Sequence, residues 1–165
     1  MNNVLLDTNV LIYSIDQDSR FFNKSQNIIK NNDLNLFTTI KNISELLSVI
    51  TRFEQNNIDV KEAISIVKNF ESITTLLYPN YNSYKKFKKL VNKYEPTGVQ
   101  VHDFEIISIS LDNNINNIAT FDTKDFKNID EISLYPIWIL RWVEEIKSHT
   151  NWIRNSPAKY DFDKK

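Results

Sequence analysis

Val4-Leu5-Leu6-Asp7-Thr8-Asn9-Val10-Leu11-Ile12-Tyr13 sets an apolar run, an acidic turn and the start of a helix end to end. Three successive apolar residues read as a short strand buried on both faces, the habit of parallel sheets. Thr8-Asn9 can cap the helix that Val10 begins. Downstream the same alternation recurs. Residues 20–31 read as a helix with Phe21, Phe22, Ile28 and Ile29 inward, and Leu34 to Thr39 as a second strand. Asn42 or Ser44 caps a helix carrying Leu46, Leu47, Val49, Ile50 and Phe53, and Asp59 caps the next. Ile73 to Tyr78 supplies a third strand, and residues 81–94 a fifth helix with Tyr84, Phe87, Leu90, Val91 and Tyr94 at three- and four-residue spacing. A helix over about 102–113 leads to strand Asn117 to Phe121, and Ile132 to Tyr135 adds a last strand. The expected fold is α/β: a mostly parallel central sheet flanked by helices on both faces. Residues 1–136 form the expected domain, and 137–165 a C-terminal helix and tail packed on it or extending from it.

Composition narrows the chemistry. The 165 residues suit one domain with a full core, and zero cysteines exclude disulfides, thiol nucleophiles and thiolate metal sites. The single glycine, Gly98, excludes glycine-rich phosphate loops, which need several glycines where backbone approaches phosphate. Two histidines, His102 and His149, form no His-x-x-x-His pair for zinc. Twenty Lys+Arg against 21 Asp+Glu give a net charge of -1, so any surface for nucleic acid must be local. The start of the chain has no cationic lead before Asp7 and no stretch approaches a membrane span, so the expected location is the cytoplasm, with no membrane partner.

Carboxylates remain as the main chemical resource. In open α/β sheets ligands bind outside the carboxyl ends of the strands. Asp7 follows the first strand and Asp122 the fourth, Asp103 opens a helix, and Glu45 lies in the first turns of another. Singly, each has a bland reading as cap, turn former or solvated residue. Jointly they project toward one edge, where like charges repel unless a cation neutralises them. Oxygen-only donors suit Mg²⁺ or Mn²⁺ and disfavour zinc.

These segments also resemble a known family. Asp7-Thr8-Asn9-Val10-Leu11-Ile12-Tyr13, Ser44-Glu45-Leu46-Leu47-Ser48-Val49, His102-Asp103-Phe104-Glu105-Ile106-Ile107 and Ala119-Thr120-Phe121-Asp122-Thr123-Lys124-Asp125-Phe126 are similar to the four acidic motifs of PIN domains, in order. Within that family the chain most resembles VapC-like toxins of type II toxin–antitoxin pairs, over roughly residues 1–136. Ser108 and Ser110 stand where, in the resemblance, small residues often follow the aspartate of the third motif, here Asp103. The resemblance implies a PIN-like three-layer fold and a metal-dependent endoribonuclease in which Asp7, Glu45, Asp103 and Asp122 hold Mg²⁺ or Mn²⁺. It implies a hydroxyl role for Thr120 at the carboxylates, orientation of Asp7 by Asn9, and an auxiliary acid in Asp125, each with an ordinary structural alternative. It further implies a homodimer and a small antitoxin partner. Ile12, Phe21 and Phe22 on the early helices are candidate contacts, with core packing the competing use of each. A housekeeping RNA-processing nuclease and a catalytically inactive PIN-fold binding module are the alternatives.

The substrate surface is read from residues alone. Lys85, Lys86, Lys88, Lys89 and Lys93 interleave with Tyr81, Tyr84, Phe87 and Tyr94 on the fifth helix, a pattern able to meet RNA phosphates and stack on unpaired bases. The competing reading is a solvated lysine face over a core stripe.

Overall fold

A computed structural model describes residues 2–52 and 58–137. The chain runs β1 (Asn2–Leu6), α1 (Thr8–Ile15), α2 (Phe22–Ile29), β2 (Leu34–Thr39), α3 (Ile40–Ile50), α4 (Val60–Ile73), β3 (Thr75–Leu77), α5 (Tyr81–Tyr94), α6 (Gln100–Asp112), β4 (Asn117–Ala119), α7 (Thr123–Phe126) and β5 (Ser133–Leu134). The expected Phe53, the helix beyond Ile137 and the tail over 150–165 lie outside the described residues. Among those described, no helix is long and apolar enough to cross a membrane.

The sheet has the order β3-β2-β1-β4-β5, and every described pairing is parallel. Parallel neighbours need crossovers, and the helices supply them on both faces. β1 shows why this run of sequence is continuously apolar. Val4 and Leu6 face a core layer with Val10, Leu11, Ile28 and Leu46, while Leu5 faces the opposite layer with Leu90, Phe104, Ile107 and Ile118. All three are fully buried. Strand order reverses at β1, whose neighbours are β2 and β4, so the switch point lies between β1 and β4, with Leu6 opposite Ala119. Side chains just after those strands therefore meet at the crevice that such sheets use for ligands.

Several element ends differ from the expectation. Asp7, not Thr8 or Asn9, is the N-cap of α1, because its extended backbone lets the carboxylate accept the Thr8 N–H. Thr39 caps α3, with Asn42 completing a reciprocal capping box, since β2 runs into the helix without a loop. Ile73 closes α4 rather than opening β3. β4 ends at Ala119: the Phe121 N–H donates to Asn9 Oδ1, and its ring packs 4.5 Å from Phe21. On α5 the inward position falls to Ser83, held by the capping box with Asn80, and leaves Tyr84 exposed. The short helix α7 has no counterpart in the expected elements. Glu95, the C-cap of α5, adopts a left-handed backbone with φ 49°, which costs a residue that carries a Cβ.

Candidate metal and nuclease site

Asp7 closes β1 and is 8% exposed, yet both carboxylate oxygens are occupied. Oδ1 accepts the Thr8 N–H at 2.7 Å, and Oδ2 accepts Asn9 Nδ2 at 2.8 Å and the Thr120 hydroxyl at 2.7 Å. Asn9 and Thr120 are themselves fixed. Asn9 Oδ1 takes the Phe121 N–H, and Thr120 Oγ1 accepts the Asp122 N–H at 3.1 Å. These bonds tie the turn after β1 to the turn after β4. A second branch reaches α3, where the Thr8 hydroxyl donates to Glu45 Oε2 at 2.7 Å and accepts Asn42 Nδ2 at 3.1 Å. Donors that lock a carboxylate's rotamer are what a ligand-binding acid needs from its surroundings.

Charge makes the cluster unusual. Burial pushes the Asp7 carboxyl up to about 6 against the bonds from Thr120 and Thr8, with Glu45 and Asp122 adding repulsion. Asp103, in the first turn of α6, is raised to about 7 by burial first, then by Asp7, Asp125, Glu45 and Asp122. All four sequence-derived carboxylates are thus brought into one electrostatic unit. The ion pairs formed among the described residues join Lys41 to Glu105, Lys86 to Asp112, and Lys93 to Asp130 and Glu131, so they leave this unit aside.

Among the described residues no three of these groups converge as a ready-made ligand cage. The cluster fits a hard divalent cation by its donor chemistry: the donors are oxygens only, no ion pair found among the described residues compensates their charge, and such ions keep several waters while taking one or two carboxylates directly.

The other sequence-derived residues fall in two groups. Asp125, on α7, acts on Asp103 through charge and faces Gln100 Nε2 at 3.5 Å, a long contact. His102 is exposed. Lys85, Lys86, Lys88 and Lys89 lie on α5, which packs with α6 and is separate from the hydrogen-bonded network around Asp7. Lys86 is committed to Asp112 at 3.4 Å and to the Leu111 carbonyl at 3.1 Å, whereas Lys85 and Lys88 sit over the rings of Tyr81 and Tyr84. Residue-level reading missed Thr8 and Asn42 as the link to Glu45. The only available signal was Asn42 standing three residues after Thr39, the spacing of a capping box.

A family model for the PIN domain matches residues 4–132, a span that runs from within β1 to the residue before β5 and holds all four carboxylates. The chain belongs to the PIN domain family. Solved PIN structures share its fold. VapBC2 from Rickettsia felis, solved bound to a DNA fragment from the promoter, superposes with a TM-score of 0.63 at 18% identity, covering 81% of this chain and 97% of that one. VapBC-1 from nontypeable Haemophilus influenzae gives 0.62 at 19% identity, covering 81% and 96%. The Mycobacterium tuberculosis toxin VapC20, described as cleaving the sarcin-ricin loop, gives 0.60 at 9% identity, covering 74% and 92%. Comparison with curated protein sequences finds no match.

Proposed function

We propose that this protein is a divalent-cation-dependent endoribonuclease that hydrolyses phosphodiester bonds of single-stranded or loop RNA, and that it is the toxin of a toxin–antitoxin pair. One observation carries the reading: a buried Asp7 clamped by Thr8, Asn9 and Thr120, coupled to Glu45, Asp103 and Asp122 at the switch point of the sheet. Membership of the PIN family supports it, as does the likeness in fold to toxins solved with their antitoxins.

Asp7, Glu45, Asp103 and Asp122 would hold Mg²⁺ or Mn²⁺, which when bound supplies an acidified water and neutralises charge on the phosphate. The chain's own residues do the positioning. Asn9 and Thr120 keep Asp7 in one rotamer, and Thr8 does the same for Glu45 from the opposite side. Burial of Asp7 excludes competing water from its oxygens, so its charge acts at full strength on whatever enters. Hydrolysis by water needs no covalent intermediate on the protein.

The antitoxin reading has its own physical support. A groove of about 510 Å³ runs between α1, α3 and α4, lined by Ile12, Ile15, Ile50 and Ile66 and rimmed by Asp16, Asp18 and Glu62. It suits a partner segment with apolar side chains and flanking basic residues. Of the apolar residues expected at such contacts, Ile12 lines the groove, while Phe21 packs with Tyr13 and Phe121. A homodimer in the cytoplasm completes the proposal.

Purified protein incubated with labelled single-stranded RNA tests the activity. Cleavage in Mg²⁺ or Mn²⁺ that stops in EDTA is the expected result. Cleavage at equal rate in EDTA, or none with either ion, would overturn it.

A further inference from the structure

Between α5 and α6 lies a second, smaller opening of about 260 Å³, lined by Pro79, Ser83, Tyr84, Phe87, Glu105 and Ile109. It is too small for a drug-sized ligand and of a size for one planar ring. Its walls are mostly apolar and include two aromatic rings. Tyr84 is 53% exposed, although its place in the apolar stripe of α5 would ordinarily bury it. Phe87, half-buried, backs the slot against the second core layer. Pro79 follows β3, so the slot opens at the carboxyl edge of the sheet, the edge that carries Asp7 and Asp122.

Two further features give the slot polarity. Lys88 Nζ lies 4.9 Å from the Tyr84 centroid and Lys85 Nζ 4.4 Å from that of Tyr81, so phosphate-seeking charges ride on the exposed rings. Glu105 lines the slot, with Oε2 bound by Lys41 Nζ at 3.1 Å. Its carboxylate, charge-balanced by Lys41, is thus an acceptor on the wall of an aromatic slot. Lys41 and Glu45 are one turn apart on α3, and Glu45 is coupled to Asp103. Glu105 also lies two residues after Asp103 on α6, so the slot and the carboxylate cluster share that helix.

We propose that this slot is a nucleobase subsite for the RNA strand: Tyr84 and Phe87 stack one unpaired base, Glu105 Oε1 accepts from its exocyclic amine, and Lys85 and Lys88 meet the adjoining phosphates. The inference rests on the ribonuclease reading above and adds a base preference to it. A carboxylate accepts and cannot donate, so it favours cytosine, with an amine at position 4, over uracil, with a carbonyl there.

Short oligocytidylate and oligouridylate, end-labelled for fluorescence anisotropy, test this with the full chain in EDTA, where binding is read without cleavage. Wild type should bind the cytidylate about fivefold or more tighter. Tyr84→Ala should weaken cytidylate binding by about tenfold. Glu105→Gln should keep cytidylate affinity and erase the preference, because a carboxamide both donates and accepts. Both positions are at least partly exposed, so matching melting curves should show the variants folded. Equal affinity of wild type for the two oligomers, no binding of either, or an unaltered Tyr84→Ala protein overturns the subsite. A parallel cleavage assay in Mn²⁺ separates the two claims. Cleavage that persists without any base preference in binding removes the slot alone, whereas absence of cleavage removes the nuclease reading.

Discussion

Replacing Asp103 by Asn removes one charge from the crowded cluster at nearly constant volume. In the folded protein this half-buried carboxyl is raised to about 7, by burial and then by Asp7, Asp125, Glu45 and Asp122. In the unfolded chain it titrates near about 3.9. The native state thus retains a proton that the unfolded state has released. Stability contributed by this group is fully present below about pH 4 and is lost as pH rises through about 7. Discounted for solvent screening of a side chain only half buried, the cost of the ionised form at pH 8 is about 1–2 kcal/mol. For a chain of this length each kcal/mol moves the melting temperature by about 2–4 °C. Asp103→Asn should therefore melt about 2–8 °C above wild type at pH 8 in EDTA, and the gap should shrink toward zero at pH 4. Saturating Mg²⁺ at pH 8 should narrow or reverse the gap, because only the wild-type cluster gains the full binding energy. Differential scanning fluorimetry across pH reads all three. A variant that melts at or below wild type at pH 8, with the same gap at pH 4, would refute the repulsion argument.

Other perturbations have distinct signatures. Thr120→Val removes the hydroxyl that donates to Asp7 Oδ2 and accepts the Asp122 N–H, so cleavage should fall by about 10–100-fold, with Thr120→Ser restoring most of it in the same assay. Changing Lys85, Lys88 and Lys89 together to Gln should flatten the slope of log binding constant against log salt by about 2. Adding Lys86→Gln should change it little further, because Lys86 is held by Asp112 and the Leu111 carbonyl. Glu95→Gly should raise stability by about 0.5–1 kcal/mol, measured by urea unfolding, since φ 49° at this C-cap suits glycine.

The parallel sheet was readable because β1 is buried on both faces, and such a strand must be apolar throughout: Val4-Leu5-Leu6 cannot alternate with polar residues. Helix α5 was equally plain, since it packs against α6 with one face and its apolar residues recur at helical spacing. Helix α6 was harder to bound. Phe104, Ile106, Ile107, Ser108, Ile109 and Ser110 are all buried, so its pattern has little contrast around the axis, and its start at Gln100 falls before the expected 102. The helix caps depended on where extended backbone ends. Thr39, Asn42 and Ser44 are all competent by chemistry, and only the end of β2 selects Thr39.

At the site, the four carboxylates were visible because each follows a strand or lies in the first turns of a helix. Their connections were not. The bond from Thr8 to Glu45 spans 37 residues and the one from Thr120 to Asp7 spans 113, distances over which local pattern carries no information. The same holds for the lysines. Nothing near Lys86 in the chain announces Asp112, which arrives through the packing of α5 on α6. Tyr84 sits on the apolar spacing of α5 and is nonetheless exposed, because the Asn80–Ser83 capping box turns Ser83 inward at the helix start.

Direct titration with Mn²⁺ at pH 7.5, by calorimetry or by loss of the free-ion paramagnetic signal, asks whether Asp7, Glu45, Asp103 and Asp122 form one cation site. Wild type should show saturable binding that Mg²⁺ competes away and that releases protons near pH 6–7, where Asp7 and Asp103 still hold them. Asp7→Asn, Asp103→Asn and Asp122→Asn should each weaken that binding by about tenfold or more, while Lys89→Gln leaves it unchanged. Absence of saturable binding in wild type, or wild-type affinity in all three variants, would contradict the assignment of these carboxylates to a metal centre.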